Sequence, residues 1–199
     1  MTHPPLTRAP HQPKPALSFL PGLSLTLGRV HEICGNARWR MALWVAAASD
    51  GPVFWIRPGW GGGRLHMDAV ARLMPPGNLV FVTAKRPDDI LWSMEEILRS
   101  GAVSTCVAEL PEIPALTPIR RLHLAAETGG ATAARSPLGV ILTPSGGGAP
   151  GVESRWNMDA DTPNWHLSRT RARMAPEAHW RIPPDLKPQP YRSQALEAV

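Results

Sequence analysis

The stretch Leu27-Gly28-Arg29-Val30-His31-Glu32-Ile33-Cys34-Gly35, continued by Asn36-Ala37-Arg38-Trp39-Arg40-Met41-Ala42, decides how the chain is read. Residues 29–34, with Val30, Ile33 and Cys34 apolar, are read as a strand. Gly35 supplies the turn that ends it. A helix is predicted to follow over about residues 37–48. A strand, a glycine and a helix in immediate succession are the opening of an α/β unit.

Outward from this stretch the pattern repeats. Further strands are predicted over residues 53–57, 79–83, 104–110 and 138–143. They are apolar throughout rather than alternating, which suits parallel strands covered on both faces. Residues 87–100 form the clearest helix. Pro87 suits its first position, and Asp88 and Asp89 sit at the positive end of its dipole. Ile90, Leu91, Met94, Ile97 and Leu98 make one apolar stripe. Glu95 and Arg99 are spaced to pair, and Gly101 is a natural stop. Another helix is predicted over residues 118–128, ended by Gly129-Gly130. Strands alternating with helices imply right-handed crossovers and a mostly parallel sheet. After Gly146-Gly147-Gly148 the pattern changes. Residues 154–159, 165–174 and 179–182 read as short strands forming an antiparallel edge. The domain is therefore expected over residues 23–182. Proline-rich flexible segments are expected over residues 1–22 and 183–199.

The 199 residues suit one domain, and 43% apolar residues is near the globular norm. No run approaches the roughly 20 apolar residues of a membrane span, and a cytoplasmic protein is expected. Cys34 and Cys106, the only cysteines, each lie in an apolar run and read as small buried residues in a reducing compartment. The seven histidines show no metal-ligand spacing. The net charge of +5, carried mainly by arginine, permits nucleic-acid binding without establishing it.

The turn at Gly35 stands where a phosphate-binding loop would run into G-x-x-x-x-G-K-[ST]. There, glycines let backbone N–H groups reach the phosphates, the lysine meets the terminal phosphates, and the hydroxyl holds magnesium. Here the second glycine, the lysine and the hydroxyl are all missing. Arg38 or Arg40 could supply positive charge, but neither replaces the magnesium ligand.

The chain resembles the RecA core, and specifically the RecA-like ImuA family linked to bacterial damage-induced mutagenesis. The resemblance runs in order through residues 27–35; Gly51-Pro52-Val53-Phe54-Trp55-Ile56; the run from Asp89-Ile90-Leu91-Trp92 to Gly101-Ala102-Val103; Glu109-Leu110; Arg120-Arg121-Leu122; Ser154-Arg155-Trp156; and the arginine-rich residues 167–173. It covers about residues 25–182. RecA's catalytic positions do not carry over. The catalytic glutamate's place after the second core strand holds Arg57-Pro58-Gly59, and of the acid on a later strand only Glu109 remains. The resemblance implies a non-catalytic accessory protein of SOS-induced translesion synthesis, without a cofactor. It further implies an ImuB-like Y-family polymerase homologue as partner, with an alternative C-family polymerase, RecA and DNA as further contacts. A cell-division inhibitor of the related SulA type and an ATPase with a non-standard loop are the alternatives.

The candidate contact residues follow. Gly35, Asn36, Arg38, Trp39 and Arg40 occupy the degenerate loop, and Glu109 is the remnant acid. Arg169, Arg171 and Arg173 alternate, so on a regular strand all three point the same way. With Arg155 and Arg181 on neighbouring strands they form a candidate patch for DNA phosphates or an acidic partner. The same row would also protect an edge strand from self-pairing. Trp39, Trp44 and Trp55 are expected in or near the core. Trp60, among glycines in a loop flanked by Arg57 and Arg64, is expected to act as a lid on the domain's own surface, with stacking on a base or filling a partner pocket as the alternative.

Overall fold

A computed structural model describes residues 15–61, 63–144, 146–187 and 189–190. The chain opens with a hairpin, β1 (Ala16–Leu20) and β2 (Leu23–Thr26), which forms a sheet of its own. Then come β3 (Val30–Cys34), α1 (Arg38–Ala47), β4 (Val53–Pro58), the short α2 (Met67–Ala71), β5 (Leu79–Ala84), α3 (Pro87–Ser100), β6 (Thr105–Glu109), α4 (Leu116–Thr132) and β7 (Leu138–Leu142). They are followed by β8 (Ser154–Asp161), β9 (Asn164–Ala172), β10 (Ala178–Ile182) and β11 (Gln189–Pro190).

One nine-stranded sheet runs in the order β11-β10-β9-β8-β3-β7-β6-β4-β5. The strands from β8 to β5 are parallel. The strands β9, β10 and β11 add an antiparallel edge beyond β8. This is the mixed α/β architecture expected from the apolar runs and their alternation with helices. The central strands β3 and β7 are buried along their whole length, which is why they carry no polar alternation.

The sheet divides the interior in two. On one face the hairpin, α1 and α2 pack over Ile33, Trp55, Val107, Val140, Trp156 and Met158. On the other, α3 and α4 cover Val30, Ile56, Cys106, Ala108 and Ile141. The stripe Ile90, Met94 and Leu98 is fully buried there. The α3 terminus is built as its residues dictate. Arg86 N–H donates to Asp89 Oδ2 at 3.1 Å at one end, and Gly101 takes φ +66° at the other.

Beyond shifts of a residue or two at element ends, three segments differ from the sequence reading. The N-terminal segment expected to be flexible over residues 1–22 is folded in its last part. Leu17, Phe19, Leu20, Leu23 and Leu25 of the hairpin are buried, and Phe19 meets Trp156 edge-on at 5.7 Å. The four apolar side chains among Leu17, Phe19, Leu20 and Leu23 outweigh the flanking prolines. Residues 1–14 lie outside the described residues, as do residues 188 and 191–199 of the expected C-terminal segment, in which Gln189–Pro190 pairs with β10. Finally, α4 does not stop at Gly129-Gly130 but continues through Thr132. Gly129 is there because α3 comes close: a Cβ on it would lie 2.0 Å from the Leu98 carbonyl oxygen.

Among the described residues no helix is long and apolar enough to cross a membrane.

Candidate functional site

The carboxyl ends of the parallel strands bring the degenerate loop and the remnant acid together. The loop is a closed turn rather than a cradle. Gly35 has φ +92°, and a Cβ there would lie 2.3 Å from the Met158 carbonyl oxygen, so β8 packs directly against it. Ala37 N–H donates to that same carbonyl at 2.9 Å. Asn36 N–H donates to Asp159 Oδ1 at 2.9 Å, and Asn36 Oδ1 accepts from Ala160 N–H at 2.8 Å. The other oxygen of Asp159 accepts from Asn157 Nδ2 at 2.6 Å. Donors that would face a phosphate at the start of a helix are thus spent on a carbonyl and a carboxylate of β8. With no lysine and no hydroxyl present, these residues do not fit a magnesium–nucleotide.

Arg38 folds back, donating from Nη1 to the Gly35 carbonyl at 3.0 Å with its guanidinium 5.0 Å from the Trp39 ring. Glu109, at the end of β6, accepts from the indole N–H of Trp55 at 2.6 Å. Burial raises the Glu109 carboxyl above its ordinary range, opposed by the Trp55 hydrogen bond and by Trp39, Arg38 and Arg57 nearby. The buried Trp39 indole N–H has no partner in hydrogen-bond geometry. The loop after β4 closes over this group, since a Cβ on Gly63 would come 2.8 Å from the Trp39 ring. Arg40 is not part of the cluster. It lies 5.8 Å and 5.2 Å from the rings of Trp44 and Trp165, between α1 and β9. Trp44 and Trp55 are buried, Trp39 is partly so, and Trp60 is 49% exposed.

The arginine row does not survive folding. Arg155 and Trp156 are consecutive on β8, so they face opposite ways. They pair with Arg171 and Arg169 respectively, because Thr170 is bulged out of register. Arg169 and Arg171 therefore lie on opposite faces of the sheet. Arg169 sits over Trp156 and Trp180, 5.5 Å and 5.3 Å from their rings. Arg173 lies 3.9 Å from Glu153. Arg181 is exposed and, with the Asn164 amide turned so that its oxygen faces the guanidinium, donates to that oxygen from Nη2 and Nε (3.0 and 3.2 Å).

Arg155 is not a surface cation either. It forms an ion pair with Glu32 from Nε, and its Nη2 donates to the Ala149 carbonyl at 2.9 Å. Glu32 is fully buried on β3 and also accepts from Thr143 Oγ1 at 2.7 Å, Gly148 N–H at 2.9 Å and Ala149 N–H at 3.1 Å. This carboxylate organises the loop between β7 and β8. The sequence reading left it unremarked. The available signal was a charged residue inside a strand otherwise set to be buried, which demands a complete set of partners.

His31, one residue earlier, faces the hairpin. Trp156 Nε1–H donates to Ser154 Oγ at 2.7 Å, Ser154 O–H donates to His31 Nδ1 at 2.6 Å, and His31 Nε2–H donates to the Thr26 carbonyl at 3.0 Å. The carbonyl acceptor requires a proton on Nε2, and Nδ1 is the acceptor while the imidazole is neutral. Burial holds its pKa down at about 4. His123 on α4 is likewise lowered by burial, and joins Val30 N–H (3.3 Å) to the Gly151 carbonyl (3.1 Å). Both histidines are structural ties. The cysteines are free and buried. Burial pushes Cys34 up to about 11 and Cys106 higher still, so neither is a thiolate at neutral pH.

No protein-family model matches the chain. No curated protein matches its sequence. Among solved structures the chain is similar to the crystal structure of SulA from Pseudomonas aeruginosa, at 14% identity and a TM-score of 0.44, over 58% of this chain and 98% of that one.

Proposed function

We propose that the chain is a non-catalytic, RecA-like accessory protein of SOS-induced translesion synthesis that works by docking to other proteins. The observation that carries the non-catalytic part is the closed turn at Gly35, whose helix-start donors are bound to Met158 and Asp159 of β8. Opening it for a phosphate would break two hydrogen bonds and leave the Asp159 carboxylate facing the incoming anion, which it would repel. The pathway rests on the ordered resemblance of residues 25–182 to the ImuA family. Its partners on this reading are an ImuB-like Y-family polymerase homologue, an alternative C-family polymerase and RecA. Any DNA contact falls to Arg171, Arg173 and Arg181, since Arg155 is committed to Glu32.

Pure protein is expected to show neither magnesium-dependent ATP turnover nor saturable binding of a fluorescent ATP analogue. Stoichiometric, magnesium-dependent hydrolysis would overturn the non-catalytic reading. Co-purification with a Y-family polymerase homologue from DNA-damaged cells tests the pathway. Filamentous growth on overexpression without damage would transfer the chain to the division inhibitors.

A further inference from the structure

We infer that the cavity between the β1–β2 hairpin and the β8–β9 pair is a docking pocket for a partner peptide that presents one carboxylate beside an apolar side chain. The cavity has a volume of about 280 Å³, and its walls include Ser24, Thr26, His31, Ser154, Trp156 and Arg169.

Arg169 supplies the recognition. Its Nε donates to the Pro176 carbonyl at 3.1 Å, which fixes the plane of the guanidinium. The rings beneath it, Trp156 and Trp180, stack on each other at 5.6 Å with 26° between planes. Among the described residues the Nη groups of Arg169 make no hydrogen bond or ion pair. Burial disfavours its charge, with no acid compensating. Glu153, also on the wall, is already shared between Arg29 at 3.7 Å and Arg173 at 3.9 Å. A held guanidinium with its outer fork open is preorganised for an oxyanion.

The bulge at Thr170 selects the kind of oxyanion. A nucleic-acid backbone presents phosphates in a row, and a groove that follows it needs cations in a row. Here Arg171 is turned to the opposite face and Arg173, which also lines the cavity, lies 3.9 Å from Glu153, so Arg169 is the lining arginine with no acid within ion-pair distance. Beside Arg169 the lining also carries the apolar Ala172, Ala175 and Met174, the last 74% exposed. One fixed cation beside an apolar lip matches one carboxylate beside an apolar side chain. Methionine suits such a lip because its flexible thioether adapts to the residue it meets.

The test is a titration of the full chain with acetyl-Leu-Glu-Leu-amide, followed by the indole N–H resonances of Trp156 and Trp180. Saturable shifts are expected. Acetyl-Leu-Gln-Leu-amide should bind about tenfold more weakly or worse, the loss of one charge-assisted hydrogen bond. Arg169→Gln should show the same loss. Ser24→Glu keeps Arg169 but places a competing carboxylate on the exposed lip, and it too should weaken the peptide about tenfold. It stands in for Arg169→Gln if that variant fails to fold. The pocket is refuted by an absence of saturable shifts or by equal shifts from the two peptides. Undiminished binding by Ser24→Glu, or an oligothymidylate that moves these resonances while the peptide does not, would refute it as well. A silent titration removes this pocket and leaves the accessory-protein reading, with its separate co-purification test, unaffected.

Discussion

His31 and Glu32 are neighbours on β3 that solve the problem of a buried polar side chain in opposite ways. Glu32 gathers a loop and an arginine around itself. Removing one partner of such a pair costs more than the pair itself contributes, because the other charge stays buried. His31 stays neutral inside the relay from Trp156 to Thr26, with its pKa lowered to about 4. That shift has a definite consequence for stability. The unfolded histidine takes up a proton near pH 6.5, whereas the folded one resists until about pH 4. Stability is therefore complete above pH 6.5 and falls as the pH drops toward 4, by at most about 1.4 kcal/mol per pH unit. Urea denaturation between these limits should show the slope, and His31→Gln should flatten it. An equal slope in the variant would assign the effect to other groups, with His123, shifted in the same direction, the first to consider.

At the scale of elements, backbone approach governs. The turn between β3 and α1 is tight because β8 lies against Gly35, and it is held by hydrogen bonds to Met158 and Asp159. Gly35→Ala meets both a left-handed backbone, which costs about 1–2 kcal/mol by itself, and a carbonyl at 2.3 Å. The expected loss is at least about 2 kcal/mol in chemical denaturation. A near-neutral Gly35→Ala would mean that the turn is open in solution and would reopen the question of phosphate binding. Gly129 shows the same principle between helices, where it seats α4 on α3 and was misread as a terminator. In a sequence, a glycine that stops a helix and a glycine that admits a neighbouring one look identical.

Across the whole molecule, the hairpin completes one of the two cores. Leu17, Phe19, Leu20, Leu23 and Leu25 close the face formed by Trp156, Met158 and α1. Each buried side chain of this type contributes about 1.5–3 kcal/mol. Deleting residues 15–26 should therefore remove most of the net stability of an ordinary domain. The expected signs are a urea midpoint shifted far down or lost, together with binding of a hydrophobic dye. A deletion that leaves the midpoint in place would make the hairpin an appendage. The hairpin also forms one wall of the Arg169 pocket, through Ser24 and Thr26, so stability and docking share an element.

The order of strands and helices, the parallel core, the antiparallel edge and the absence of a lysine and a hydroxyl after Gly35 were legible in the chain by itself. They depend on local pattern: continuous apolar runs, a capped amphipathic helix, and residue types present or missing at fixed spacing. What the arginines do was not legible. One bulged residue, Thr170, reverses the face of Arg171, and one buried acid, Glu32, withdraws Arg155 from the surface. Both depend on pairing between strands far apart in sequence, where a shift of one residue exchanges the faces of a sheet. The turn at Gly35 likewise acquired its meaning only in three dimensions. The chain shows which groups are missing there, and the tertiary structure shows Met158 and Asp159 taking up the donors they left.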